Sequence, residues 1–118
     1  MNILILDDME ERHDAFREKF KNIECNIIHV TTAKECIEAL KNNTFDLICL
    51  DHDLGGKETG HEVSKWIADN KNTHPMDKTK IIIHSYNPVG AIYIFQELRD
   101  VNIYSYIKPG YWKTSEML

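Results

Sequence analysis

The sequence predicts an α/β domain built on an open, doubly wound parallel sheet. Three observations predict it. Five short apolar runs rich in Ile and Val recur along the 118 residues. Helix-length amphipathic stretches separate them, and these stretches open on recognisable helix start signals.

The first run, Asn2 to Leu6, ends at the acid pair Asp7-Asp8. Asp8 is placed to cap a helix over 9–21, in which Ala15, Phe16 and Phe20 make an apolar stripe. Cys25 to Val30 reads as the second strand. Thr32 and Glu35 then form a capping box for a helix through Leu40. The third strand, Phe45 to Leu50, runs straight into Asp51-His52-Asp53. Thr59 and Glu62 make a second capping box, for a helix through Asp69, and Lys71 to Thr79 reads as a polar loop. A fourth strand begins at Lys80 and delivers His84 and Ser85. Asn87-Pro88 is a cap followed by proline at the first helical position, opening a helix to about Arg99. Val101 to Ile107 is the fifth strand, ahead of Lys108-Pro109 and a short tail. Right-handed crossovers with this element count give the flavodoxin-like strand order 2-1-3-4-5 in one domain spanning residues 1–118. Ligands in such sheets bind outside the carboxyl ends of the strands, at the switch between strands 1 and 3.

Composition narrows the partners. With 14 Lys+Arg against 19 Asp+Glu, net −5, the chain lacks the basic footprint of duplex DNA binding. A small phosphate ligand, a cyclic nucleotide or an RNA end is still compatible, because a local metal supplies positive charge. Three cysteines without CxxC spacing read as reduced core residues of a cytoplasmic protein. The apolar start meets two acids at once and is neither a signal peptide nor a membrane span. Oligomeric state is left open.

The strand ends converge on one crevice. Asp7, Asp8, Asp51 and Asp53 repel one another unless a cation sits among them, and Mg2+ (or Mn2+) favours carboxylate and phosphate oxygens together. Lys108 and Ser85 stand opposite, suited to phosphate oxygens. The plainer reading of the acids is helix capping; three of them at matched strand ends favour the metal. His52 and His84 are general acid/base candidates, against the plainer readings of loop packing and a buried ring bonded to backbone. Arg12, a cation in a first helical turn, makes electrostatic sense beside an anion and is the better phosphate clamp. His13 beside it also reads as a surface residue; His29, His61 and His74 read as ordinary. Gly55-Gly56 is either a tight turn or a place where backbone N–H groups approach a phosphate. Tyr86, at the rim, is placed to stack on a base.

The stretches "ILILDD", "DLICLD", Ser85 and "IKP" together resemble the receiver domain of two-component signalling across nearly the whole chain. The resemblance implies a metal-binding acid pair at Asp7 and Asp8, a phospho-acceptor at Asp51, and a backbone carbonyl at Asp53 joining the metal. It also implies a phosphate-gripping Lys108. The chain departs from the receiver pattern. Gly55-Gly56 stands where a proline is usual four residues past the acceptor, and Ser105 replaces the switch aromatic, with tyrosines displaced to Tyr104 and Tyr106. The tail predicts a shortened last helix.

Those departures have a pattern. "LDHDLGG", "TG", "IIHSYNPVG" and "DDMEERHDAF" resemble the cyclic-phosphate processing receiver family, whose polar residues match at Asp7, Asp8, Arg12, His13, Asp51, His52, Asp53, His84, Asn87 and Lys108. This resemblance implies metal-dependent phosphoesterase chemistry on an RNA 2′,3′-cyclic phosphate end or a cyclic nucleotide. A response regulator phosphorylated on Asp51 and a non-catalytic cyclic-nucleotide binder are the other two expectations.

Overall fold

Hydrogen bonds join five parallel strands in the order β2-β1-β3-β4-β5. They are β1 (Asn2–Leu6), β2 (Asn26–Val30), β3 (Leu47–Leu50), β4 (Lys80–Ile83) and β5 (Ser105–Ile107). Four helices alternate with them: α1 (Glu10–Phe20), α2 (Ala33–Asn42), α3 (His61–Asp69) and α4 (Pro88–Asp100). The structure is a computed structural model and describes residues 1–54, 59–84, 88–103 and 105–107. The expected flavodoxin-like order is the one found. The expectation of a shortened last helix falls on residues outside those described.

The apolar runs become strands because Ile and Leu bury on both faces of a covered parallel sheet. Ile3, Ile5, Leu47, Cys49 and Ile82 pack with Phe16 and Phe20 of α1 on one face. Leu4, Leu6, Ile48, Leu50, Ile81 and Ile83 pack on the other, against residues that include Cys36 and Leu40 of α2, Val63 and Ile67 of α3, and Ile94 and Leu98 of α4. Cys25, Cys36 and Cys49 are free thiols, two of them buried, and burial pushes Cys36 up to about 12. No helix among the described residues is long and apolar enough to cross a membrane.

The helix starts differ in detail from the sequence expectations. Thr32 behaves as expected: its hydroxyl oxygen accepts from the Glu35 N–H at 3.1 Å and donates to Glu35 Oε1 at 3.0 Å. At α1 the residue at the cap position is Met9, without a side-chain cap bond; Asp7, not Asp8, accepts from the Met9 N–H, at 2.9 Å. At α3 the cap is Gly60, and only half of the box forms, Glu62 Oε1 accepting from the Thr59 N–H at 3.4 Å. The fifth strand is also shorter than the apolar run. Asn102 adopts φ 61° just past α4, Ile103 N–H bonds to Leu98 O at 2.8 Å, and Asn102 N–H bonds to Arg99 O at 2.9 Å. That paired closure is a Schellman ending, for which asparagine tolerates the left-handed backbone. Residues 101–103 therefore turn the chain before Ser105 joins the sheet.

Candidate metal and phosphate site at the carboxyl edge of the sheet

The site grows out of the sheet register. Leu6 pairs with Leu50, and Leu50 with Ile83. The ladder continues one residue further, with Asp51 N–H bonding to Leu6 O at 3.1 Å and His84 N–H to Leu50 O at 2.9 Å. Asp7, Asp51 and His84 therefore form the next row across three adjacent strands. They share parity with Ile5, Cys49 and Ile82, so all three belong to the α1 face. All three are buried, Asp7 at 0 %, Asp51 at 1 % and His84 at 7 % exposure.

Two buried carboxyls side by side are electrostatically unfavourable. Burial, with Asp7 adding, pushes Asp51 up to about 7, against the opposing charge of Arg12. Burial also raises Asp7, while its bond from Met9 and the Arg12 charge pull it back. Asp8 lies exposed beside them, and one oxygen from each of Asp7, Asp8 and Asp51 falls within 4.8 Å of the others. That donor set, all carboxylate and partly desolvated, fits a hard divalent cation such as Mg2+ or Mn2+. Arg12 Nη1 already brings positive charge there, 3.4 Å from Asp7 Oδ2 and 3.3 Å from Asp51 Oδ2.

The expected histidines take different stations. His84 stands in the row beside the acids, its Nδ1 3.7 Å from Asp7 Oδ2 and its ring edge-on to Phe16 at 5.1 Å between centroids. Burial, with the Arg12 charge adding, lowers it to about 4, so the ring is neutral at pH 7. Its Nε2 is buried and has no hydrogen-bond partner among the described residues. His52 shares parity with Leu50 and lies on the α4 side, where Gly90 makes room: a Cβ there would stand 2.4 Å from the ring. His52 Nδ1 is 2.8 Å from Asp53 Oδ1. The carboxylate can only accept, so Nδ1 carries the proton in the neutral ring and Nε2 keeps its lone pair.

Asp53 is mostly exposed, and its N–H donates to Asp51 Oδ1 at 3.3 Å. His13 is fully buried, so its surface reading does not hold; Nε2 lies 2.8 Å from Asp7 O and Nδ1 2.6 Å from His29 Nδ1. His29, read as ordinary, is thus part of the support. The sequence signal for the pair was weak, since strand and helix had first to be docked. Gly60 was also missed: a Cβ there would meet Asp51 O at 2.0 Å, so only glycine lets the start of α3 pass beneath the acid. Gly55, Gly56, Ser85, Tyr86, Asn87 and Lys108 lie outside the described residues.

A family model described as the cyclic-phosphate processing receiver domain matches residues 2–100. Among solved structures, the signal receiver domain of an HD domain-containing protein from Pseudomonas fluorescens is similar at 17% identity and TM-score 0.73, over 98% of this chain and 86% of that one. A CheY-like response regulator receiver domain from Methanospirillum hungatei is similar at 19% identity and TM-score 0.69, over 93% of this chain and 82% of that one. At these identities the likeness shows the fold alone. A search of curated proteins returned no match.

Proposed function

The chain belongs to the cyclic-phosphate processing receiver domain family, and from that membership we propose that it performs divalent-metal-dependent opening of a cyclic phosphate, either an RNA 2′,3′-cyclic phosphate end or a cyclic nucleotide. The observation that carries the reading is the His52–Asp53 pair, at 2.8 Å, directly after buried Asp51. A carboxylate that merely accepts a phosphoryl group needs no base beside it, whereas water attacking a cyclic diester must lose a proton.

Each residue then has a task. Asp7, Asp8 and Asp51 would hold Mg2+ or Mn2+, and the Asp53 backbone carbonyl would be the further protein donor that the receiver resemblance implies. When bound, the ion supplies Lewis acidity to a phosphoryl oxygen and balances the acids. Arg12 and Lys108 grip phosphate oxygens, with Ser85, Asn87 and the backbone of Gly55 and Gly56 around them. His52 Nε2 takes the proton from water as oxygen bonds to phosphorus. The ring P–O bond breaks, and the same proton goes to the departing oxygen, leaving a monoester. His84, neutral and buried, stands beside Asp7 at 3.7 Å and fills the space next to the carboxyl. The free cysteines suit a reducing, cytoplasmic setting.

A second reading keeps Asp51 as a phospho-acceptor in two-component signalling; the receiver fold and the burial of Asp51 favour it. A third, binding without chemistry, uses the same residues. Phosphorus NMR separates them. The purified protein with Mg2+ and a panel from 2′,3′-cyclic mononucleotides to cyclic dinucleotides is expected to give a monoester resonance that Asp51→Asn abolishes. An unchanged spectrum overturns the hydrolytic reading. Labelling by acetyl phosphate in the same tube would then support the acceptor, and ligand broadening alone the binder.

A further inference from the structure

We propose that His13 and His29 form a second metal site, between α1 and β2, which takes a transition-metal ion of the Zn2+ class through the two Nδ1 atoms. This site goes beyond the function above and does not depend on what the acid row holds.

The two rings already face each other as a pair of ligands would. Their Nδ1 atoms lie 2.6 Å apart, with the ring planes crossing at 76° and the centroids 4.7 Å apart. Tetrahedral Zn2+, with Zn–N bonds of about 2.0–2.1 Å, holds two nitrogens roughly 3.3 Å from each other. The rings therefore need to part by only about 0.7 Å to admit the ion. His29 is the one able to move. It pairs with Ile5 from β2, the strand at the margin of the sheet, and is half-buried, whereas His13 is fully buried.

A second observation points to a ligand. A metal-ligating histidine almost always donates its other ring N–H to a carboxylate, a backbone carbonyl or water, which fixes the tautomer and aims the lone pair at the ion. His13 has that support in place: Nε2–H donates to the Asp7 carbonyl oxygen at 2.8 Å, so the lone pair is on Nδ1, facing His29. In the empty site His29 fills that lone pair with its own Nδ1–H. When the ion enters, this proton goes to solvent and Nε2 takes one up, so His29 stays neutral and both Nδ1 lone pairs meet the metal.

The surroundings suit a cation. Burial first, then the His13 and Arg17 charges, lowers His29 to about 4 against the pull of Glu10 and Asp14, so the ring is a neutral ligand at pH 7. Arg17 bonds to both Glu10 and Asp14, and two acids against one arginine leave a net negative charge beside the pair. Imidazole nitrogen suits Zn2+, Cu2+ and Ni2+, whereas the carboxylate row suits Mg2+, so the two sites sort ions by donor type. Water completes the coordination. Because His13 also holds the Asp7 carbonyl, an ion here ties α1 and β2 together next to the start of the acid row.

Calorimetric titration of the full chain with Zn2+, in a large excess of Mg2+ to occupy the acids, tests this. The unsubstituted protein and Asp51→Asn are expected to bind Zn2+ equally, and His29→Gln to bind it roughly tenfold more weakly or worse. In the unsubstituted protein the imidazole 15N resonances of both Nδ1 atoms should move with Zn2+ while His13 Nε2 keeps its proton. That readout needs no variant and decides the matter should His29→Gln fail to fold. Unchanged affinity in His29→Gln overturns the proposal, as do Nδ1 resonances that stay fixed at saturating Zn2+. Binding lost in Asp51→Asn instead would put the ion on the acids and overturn it equally.

Discussion

His13 Nε2 lies 2.8 Å from the backbone carbonyl oxygen of Asp7, so a helix side chain grips the end of β1 just where the acid row begins. The carbonyl accepts, which puts the proton of neutral His13 on Nε2 and leaves Nδ1 to accept from His29 Nδ1–H at 2.6 Å. His13→Ala removes both bonds and opens a hole under the site. The expected loss is about 2–4 kcal/mol of unfolding free energy, measured by urea denaturation in EDTA, together with weaker Mg2+ binding. A loss near zero would mean that His13 does not hold the strand end.

Stability of the metal-free protein is expected to peak between the titrations of its acids and its histidines. Asp51 is raised from 3.8 to about 7, mainly by burial, so the folded state holds its proton more firmly. Its contribution is complete below about pH 4 and disappears as pH rises through about 7. His84 and His29, each lowered from 6.5 to about 4, mainly by burial, act oppositely: their contribution is complete above 6.5 and is lost as pH falls through about 4. Asp51→Asn cannot titrate. Thermal melts of that variant in EDTA should lose less on the way to pH 8 than those of the unsubstituted protein, the remaining loss belonging to Asp7, which burial also raises. A variant that still weakens at high pH to the same degree would move the effect to Asp7.

Gly90→Ala separates chemistry from folding. The new Cβ meets the His52 ring at 2.4 Å, and a side chain can swing away where backbone cannot. Helix propensity improves by up to about 1 kcal/mol, so the melting temperature should change little. Turnover of a cyclic phosphate, which needs His52 beside Asp53, should fall at least tenfold, at about 1.4 kcal/mol per decade. Unchanged turnover would remove His52 from the reaction.

Gly60→Ala has the opposite balance. Its Cβ would stand 2.0 Å from Asp51 O and 3.2 Å from His52 Cα, both backbone atoms. Overpacking of that kind costs about 1–3 kcal/mol or more, and the loop after β3 must move. Lower melting temperature and weaker Mg2+ binding should come together; a well-folded variant with normal Mg2+ affinity would show that the loop tolerates the shift.

Much of this was legible in the sequence, for identifiable reasons. Apolar runs of Ile and Leu, buried on both faces, mark β1, β3 and β4, and the acids just past them predict Asp7 and Asp51 as neighbours. The capping box at Thr32 is local chemistry and forms as written. What failed was also local, but undercut by tertiary contacts. Thr59 yields its cap position to Gly60 because a side chain at residue 60 would collide with Asp51 O. The run from Val101 to Ile107 mixes a helix ending with a strand, and only the left-handed Asn102 divides them. His13 and His29 are far apart in sequence, and their contact becomes visible only when α1 is laid on the sheet.

The row Asp7-Asp51-His84 has a consequence for how such a chain changes over generations. Its members extend the files of Ile5, Cys49 and Ile82 past the last paired residues, Leu6, Leu50 and Ile83. A point substitution in that row exchanges one functional group for another while every paired residue below keeps its neighbour. A one-residue insertion within β1, β3 or β4 reverses the parity of the file, turning an acid and its strand's apolar residues to the wrong side together. Lineages can therefore diversify in reactivity by replacement at the strand ends, whereas length variation inside the strands is selected against twice, once for the core and once for the chemistry.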